Sequence, residues 1–255
     1  MKQTLWRLAL GLTAVSILAA CGGGGDDAST SSAAAPEAAA PVEVAAAGSG
    51  SVAGRVNFTG EDTDAEISMD ADPVCAGLHS ESVSTETIVA NDGGLANVFV
   101  YVKEGAGGGH AVPAEPVVLD QVGCTYVPHV AGIQVGQKLV IRNSDSTLHN
   151  VHAMPEANDE FNQGQPFQNM ELEKTFDIAE VMVRFKCDVH PWMGAYMGVV
   201  DNPFYTVSGA DGSFSIEGLA AGDYVLEAWH ETLGTRTVNV TVGDGAAEAA
   251  FDYDA

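Results

Sequence analysis

The segment from Val181 to Met193 constrains this chain more than any other. A strand-like apolar run ending at Phe185 is followed by Cys187, His190 and Met193, spaced three residues apart. A tight loop at a strand end can turn a thiolate, an imidazole and a thioether toward one point. These groups belong to the ligand set of electron-transfer copper, and a thioether is a poor ligand for zinc. The spacing therefore predicts a copper site that still needs a second imidazole.

The second imidazole is expected from a short segment that follows the strand-like run Lys138 to Arg142 and a turn. This segment, which begins at Leu148, contains His149 and His152. Side chains alternate between the two faces of an extended segment, so residues three apart point to opposite sides. Only one of the two histidines can face the metal.

Residues 117–201 resemble the cupredoxins, the blue copper proteins of the amicyanin and pseudoazurin type. The resemblance rests on several short features, namely the Cys-x2-His-x2-Met loop with Trp192 before the methionine, the His149-Asn150 pair, Gly136-Gln137 and Gly198-Val199-Val200. It implies a Greek-key β-sandwich and gives the role of first ligand to His149, with His152 at the surface or behind the ligands. One copper ion, Cu(I) or Cu(II), is then expected in a type 1 site formed by His149, Cys187, His190 and Met193.

The same resemblance implies how electrons would pass. We expect them to move through the imidazole edge of His190, with Pro191 and Trp192 forming an apolar docking patch. The partner would be a redox protein, either a cytochrome or a copper enzyme. His129, in what resembles the second strand, is a candidate for a further ligand or for a hydrogen-bond donor behind the ligands, but it is expected to be structural.

The C-terminal part of the chain has a different pattern. From Phe204 onward, apolar residues alternate between glycine-containing turns, which indicates short antiparallel strands. The run from Asp211 to Leu226 resembles the signature D-G-x-F-x-I-x-G-L-x-x-G-x-Y-x-L of the carboxypeptidase regulatory-like, or prealbumin-like, β-sandwich. This module is expected to be a spacer or docking unit, with His230 at its surface.

The early strands of that sandwich family occur far upstream here, at 52–58 and 95–102. We therefore expect an all-β chain in which one sandwich is inserted into the other. The predicted domains are a discontinuous regulatory-like sandwich and the cupredoxin domain within it, at 49–112 with 203–255 and at 113–202.

The N-terminus has the features of an export signal. Lys2 and Arg7 precede an apolar run that is too short to span a membrane. Leu-Ala-Ala-Cys, ending at Cys21, resembles the lipobox of bacterial lipoproteins, and Gly22 implies sorting to the outer membrane. We expect a signal peptide at 1–20 and a flexible tether at 21–48, since the tether is rich in Gly, Ala, Ser and Pro. The membrane would be contacted through the lipid anchor alone, facing the periplasm or the cell surface.

The four cysteines can be assigned by elimination. In an oxidising compartment cysteines are expected to pair, but Cys21 would be consumed by the lipid, which leaves three. One must stay unpaired, and Cys187 lies in the metal-binding loop. Cys75 and Cys124 are therefore expected to form a disulfide.

The charge balance narrows the choice of partners. With 35 acidic against 10 basic residues, the formal charge is −25, which argues against nucleic acid because phosphates need Lys and Arg. The acidic pairs Asp62 with Asp64 and Asp70 with Asp72 lack the Gly and terminal Glu of a calcium loop and are expected to be solvated.

Electron transfer without catalysis is the favoured function. The alternative is copper storage, delivery or resistance without a redox partner. Proteins of that kind usually carry Met-rich or His-rich repeats, and the seven methionines here are scattered. A copper oxidase or nitrite reductase would need further histidine clusters, and a binuclear centre would need a second cysteine in the loop.

Overall fold

The computed structural model describes residues 48–255, which form twenty strands and one short helix. The prediction of an all-β chain is confirmed. In chain order the elements are β1 (Gly50–Phe58), β2 (Glu66–Ile67), α1 (Pro73–Gly77), β3 (Val83–Ser84), β4 (Ala90–Asn91), β5 (Gly94–Leu95), β6 (Phe99–Glu104), β7 (Val117–Val122), β8 (Thr125–Val127), β9 (Val130–Gln134), β10 (Leu139–Asn143), β11 (His149–Met154), β12 (Phe161–Gln165), β13 (Met170–Lys174), β14 (Glu180–Lys186), β15 (Gly194–Val200), β16 (Tyr205–Val207), β17 (Ser213–Leu219), β18 (Gly222–His230), β19 (Gly234–Val242) and β20 (Ala246–Tyr253).

Several predictions concern the N-terminal segment. The signal peptide, the lipidation site Cys21 and all of the tether but its last residue lie outside the described residues. Within residues 48–255, no helix has the length and apolarity needed to cross a membrane.

The first sandwich combines strands from both ends of the described chain. In one sheet β1 lies between antiparallel β17 and parallel β20, and β5 and β4 extend it. The other sheet has the order β16-β6-β18-β19. Buried side chains from both chain segments, such as Val56, Val100, Ile216 and Phe251, pack in one apolar core between the sheets.

The second sandwich is formed by the strands in between, β7 to β15. Its sheets have the orders β13-β10-β7-β8 and β12-β11-β14-β15-β9, with parallel pairs β7–β10 and β9–β15. Its core, which includes Leu119, Ile141 and Phe185, also contains Cys187 and Met193. The loop from Cys187 to Met193, which is predicted to bind metal, is therefore a continuation of this core.

Strand β18 shows how the sequence produces these faces. Tyr224, Leu226, Ala228 and His230 are buried, while the residues between them are more exposed. Side chains two apart share a face of a strand, so the four line the core side together. The expectation that His230 lies at the surface is wrong, because its position in this alternation turns the imidazole inward, where it is 1% exposed.

The two sandwiches contact each other through aromatic rings seated on glycines. Gly132 on β9 and Gly198 on β15 lie side by side in the parallel pair. A Cβ on Gly198 would come within 2.3 Å of the Phe99 ring, and one on Gly132 within 2.3 Å of the Tyr205 ring. Only glycine leaves room for rings from the first sandwich. All described residues belong to one compact unit, so the predicted domain limits, 49–112 with 203–255 and 113–202, stay a prediction.

The connection between β1 and β4 reaches across to the second sandwich. It contains the β2–β3 pair and α1, and it carries Cys75, which forms a disulfide with Cys124 in the turn between β7 and β8. The predicted pairing is therefore present. Both cysteines are fully buried in a small apolar cluster with Met69, against which Trp192 packs. This places α1 beside the loop that contains Trp192.

Candidate metal centre

The loop of residues 187–193 joins antiparallel β14 and β15 and is folded back on itself. The backbone N–H of Cys187 donates to the carbonyl of Met193 (3.3 Å), and the N–H of Met193 donates to the carbonyl of His190 (3.0 Å). The N–H of His190 in turn donates to the Cys187 sulfur (3.3 Å). These bonds hold the three candidate ligands on one small turn.

Three candidate ligands converge at the end of the second sandwich. The Nδ1 atoms of His149 and His190 lie 3.0 Å apart, and the Cys187 sulfur lies 3.9 Å from His190 Nδ1. The donor atoms of all three residues lie within 4.8 Å of one another, and each residue is at most 2% exposed. His149 begins β11, and Cys187 and His190 lie in the loop that follows β14, the strand paired with β11.

Met193 is fully buried in the same core cluster as Cys187. Its backbone closes the loop, as described above, and its side chain lies on the core side. The structure thus keeps a thioether in the apolar surroundings of the thiol.

The Cys187 sulfur is prepared to be a thiolate. Burial raises the pKa of this thiol, but a hydrogen bond from His149 and backbone N–H groups of His190, Asn150 and Val189 lower it further than burial raises it. The net pKa lies below the ordinary value. Since the thiolate is the form of cysteine that binds metals, these donors favour metal binding.

Asp145 fixes the orientation of His149. Its Oδ2 atom accepts hydrogen bonds from His149 Nε2 (2.9 Å) and from the backbone N–H of Cys124 (2.8 Å), and Oδ1 accepts from the N–H of Gly123 (2.8 Å). A carboxylate behind one ring nitrogen leaves the other, Nδ1, for a metal. Burial lowers the pKa of His149, but the contacts with Asp145 and Cys187 raise it to about 9.

His190 is oriented in the same way by a residue from the connection between β1 and β4. Its Nε2 atom lies 3.1 Å from Asp72 Oδ2 and 3.6 Å from the Cys75 sulfur. The expectation of solvated acidic loops is therefore wrong for Asp72, whose side chain is 25% exposed and faces the imidazole.

The predicted docking patch around the His190 edge is also wrong. His190 is 2% exposed, and both Asp72, the N-cap of α1, and Cys75 within α1 lie against its Nε2 atom. Trp192 packs beside the His190 ring, at 5.1 Å between centroids, and its indole N–H donates to the carbonyl of Cys124 (2.9 Å). Of the expected patch, only Pro191 is exposed.

The other histidines singled out by sequence lie outside this group. His152, on the opposite face of β11, contacts Asp188 (3.1 Å) and Glu160 (2.6 Å) on its two ring nitrogens. His129 is 9% exposed and pairs with Glu231 (2.5 Å) in the first sandwich. The alternation along β11 thus separates His149 from His152.

Two further groupings of possible ligands adjoin the site. One combines Asp72 with Cys75 and His190, and the other combines Asp145 with Cys124 and His149. Both contain a disulfide-bonded cysteine, which has no thiolate to offer. Their carboxylates act instead as hydrogen-bond partners of the imidazoles.

The donor set fits copper. Two imidazole nitrogens, one buried thiolate and a nearby thioether match the soft, mixed ligands of electron-transfer copper. Structural zinc sites are built from Cys and His without methionine. The residues that would hold the ion are His149, Cys187, His190 and Met193.

Comparisons with known proteins add the following. No family model and no curated protein matches the sequence. Among solved structures, the chain is similar to a copper-containing nitrite reductase from Thermus scotoductus SA-01 (21% identity, TM-score 0.32, 38% of this chain and 25% of that chain). It is also similar to a copper(I) form of an amicyanin variant (19% identity, TM-score 0.30, 39% of this chain and 97% of that chain). A third similar structure is a purple cupredoxin from Nitrosopumilus maritimus (21% identity, TM-score 0.29, 34% of this chain and 99% of that chain).

Proposed function

We propose that this protein holds one copper ion in a type 1 centre formed by His149, Cys187, His190 and Met193 and carries electrons. The observation behind the proposal is the convergence of two imidazole nitrogens and one thiol, all buried and within 4.8 Å. Bound there, copper would supply one-electron chemistry between Cu(I) and Cu(II).

The protein's own contribution is to hold the donors still. Asp145 and Asp72 each hold the outer nitrogen of one imidazole, and backbone N–H groups hold the sulfur of Cys187. The surrounding core excludes water, because the three side chains are at most 2% exposed. Donors that stay in place when the charge changes keep the reorganisation small, which favours electron transfer over catalysis.

In this proposal the chain is an electron carrier and not an enzyme. A redox partner protein, either a cytochrome or a copper enzyme, would give or take the electron.

The second sandwich would be the cupredoxin domain, and the first, regulatory-like sandwich would be a spacer or docking module. Removal of residues 1–20 and acylation of Cys21 would anchor the protein in the cell envelope, at the outer membrane. Nucleic acid has no place in this function, given the charge of −25.

The test begins with the purified full-length protein and one equivalent of Cu(II). Intense thiolate-to-copper absorption with the narrow copper splitting of a blue site in electron spin resonance is the expected result. Cys187→Ser should abolish the absorption and leave the far-ultraviolet circular dichroism unchanged. A colourless protein with ordinary square-planar copper signals would disprove the proposal.

The role of Met193 can be tested against a matched control. Met193 and Met197 are both buried in the same core cluster, four residues apart. Met193→Leu should raise the reduction potential, because loss of a thioether donor would favour Cu(I), whereas Met197→Leu should not. Equal potentials in the two variants would remove Met193 from the ligand set.

A further inference from the structure

The residue behind His190 comes from a part of the chain far from the metal-binding loop. Asp72 is the N-cap of α1, and its Oδ1 atom accepts hydrogen bonds from the N–H groups of Val74 (2.8 Å) and Cys75 (3.3 Å). Its other oxygen, Oδ2, faces His190 Nε2 at 3.1 Å. The carboxylate is thus fixed by its own helix and directed at one ring nitrogen.

The geometry of His190 defines what this contact does. Its Nδ1 atom faces His149 Nδ1 and the Cys187 sulfur, so Nδ1 is the atom available to a metal. A neutral imidazole carries a single N–H, which must then be on Nε2 and donate to Asp72. Asp72 therefore accepts a hydrogen bond from the Nε2 atom of His190, as Asp145 does from the Nε2 atom of His149.

The disulfide joins the elements that carry these two carboxylates. Cys75 follows Asp72 by three residues on α1, and the N–H of Cys124 donates to Asp145. Trp192, beside His190, donates to the carbonyl of Cys124. The disulfide therefore links α1 to the turn beside the site, and both of its cysteines are fully buried.

We infer that Asp72 is a positioning residue for His190, and that α1, held by the Cys75–Cys124 disulfide, closes the site against solvent and metal exchange. This inference rests on the proposed function for its metal-dependent part. In this inference, ligand exchange at His190 requires α1 to move away, because the imidazole is 2% exposed and the Cys75 sulfur of α1 lies 3.6 Å from its Nε2 atom.

The metal-dependent test uses copper-loaded full-length protein. Asp72→Asn keeps a good N-cap but replaces the anionic partner of His190. Asp70→Asn is the control, since Asp70 is exposed and the one hydrogen bond of its side chain within the described residues comes from Ser68. Copper transfer to a chelator should be about tenfold faster in Asp72→Asn, the lower end of the effect of removing such a partner. Its reduction potential should rise, because a lost negative charge disfavours Cu(II). Rates and potentials equal to those of Asp70→Asn would overturn the positioning role.

A second measurement does not need copper. In the metal-free protein, acylation of histidines by diethyl pyrocarbonate, followed by peptide mass spectrometry, reports the accessibility of each ring. His190 should react slowly in the unmodified chain and at least tenfold faster in the variant Cys75→Ser/Cys124→Ser, in which α1 is untethered. Equal rates would overturn the covering role. If the unmodified chain shows no blue copper signal while His190 is still protected, the proposed function fails and the covering role stands.

Discussion

The two sandwiches each bury a histidine, but the pKa values of the two side chains are shifted in opposite directions. In the first sandwich, burial lowers the pKa of His230 to about 4, and its Nδ1 atom accepts the N–H groups of Thr232 and Leu233 (both 3.3 Å). In the second, burial also lowers the pKa of His149, but Asp145 and Cys187 raise it to about 9. Both imidazoles are at most 1% exposed. Charged partners, rather than burial, distinguish a chemical site from a core histidine.

The largest expected effect separates the two histidines by copper binding. His149→Ala should abolish the blue copper signal, because it removes one of two imidazole donors. His230→Gln should leave that signal unchanged, since His230 lies in the other core. Titration of each purified variant with Cu(II), followed by visible absorption, measures the difference. Loss of the signal in His230→Gln would mean that the first sandwich shapes the metal site.

The next effect concerns stability and pH. The folded pKa of His230 is about 4, below its ordinary value of 6.5. As the pH falls through 6.5, His230 therefore becomes protonated in the unfolded chain but stays neutral in the folded chain. The free energy of unfolding decreases until about pH 4, where the folded chain is protonated as well. This depression corresponds to about 3 kcal/mol over that range.

The measurement is urea unfolding of the metal-free protein between pH 7 and 4. His230→Gln, which keeps an acceptor for the two N–H groups, should be less stable than the unmodified chain at pH 7. It should lose less stability on acidification, because Gln takes up no proton in the unfolded chain. The acidic groups common to both chains cancel in the comparison. Parallel pH profiles would show that His230 is not held neutral.

The comparison also explains which parts of the site can be predicted from sequence. Cys187, His190 and Met193 are local, because one turn at a strand end sets their relation. The alternation of a strand shows that only one of His149 and His152 can face the metal, and the resemblance to the cupredoxins gives that role to His149. The burial of His230 could have been predicted in the same way, since Tyr224, Leu226 and Ala228 lie on the same face of β18.

The residues behind the imidazoles are harder to find. Asp145 lies four residues before His149 in the preceding turn, so a local signal existed. Asp72 is separated from His190 by 118 residues, and nothing near it in the sequence indicates a metal site. The pairing of Cys75 with Cys124 was the only hint that this segment approaches the second sandwich. The expectation that the edge of His190 is exposed was wrong for the same reason, because Asp72 and Cys75, which lie against this ring, come from a distant part of the chain.

A smaller effect is expected for Asp145→Asn, which tests the charged partner itself. Loss of such a partner typically weakens metal binding about 10- to 100-fold. At neutral pH, however, copper must displace one of the two protons of the His149 imidazolium, whose pKa of about 9 depends on the contacts with both Asp145 and Cys187. Asp145→Asn removes one of these two contacts and so lowers that pKa. The variant should therefore show its full deficit above pH 9 and a smaller one at pH 7.

The pH dependence of the deficit in Asp145→Asn is measured by chelator competition, which gives the copper affinity at pH 7 and above pH 9. Asp120→Asn is the matched control, because Asp120 accepts a hydrogen bond from Ser144, next to Asp145. A deficit in Asp145→Asn that is equal at both pH values would mean that Asp145 does not control the proton on His149.

The smallest effect is expected for His152→Ala, three residues along β11 from His149. Its ring is paired with Glu160 and Asp188, which are 65% and 39% exposed, and such surface ion pairs contribute about 0 to 1 kcal/mol. Copper affinity and the thiolate absorption should therefore match those of the unmodified protein, and urea unfolding should shift by no more than that amount. Because alternation puts the two rings on opposite faces of one strand, the variant is also the strictest control for His149→Ala. A loss of the copper signal in His152→Ala, with the signal retained in His149→Ala, would show that the two histidines have been assigned the wrong way round.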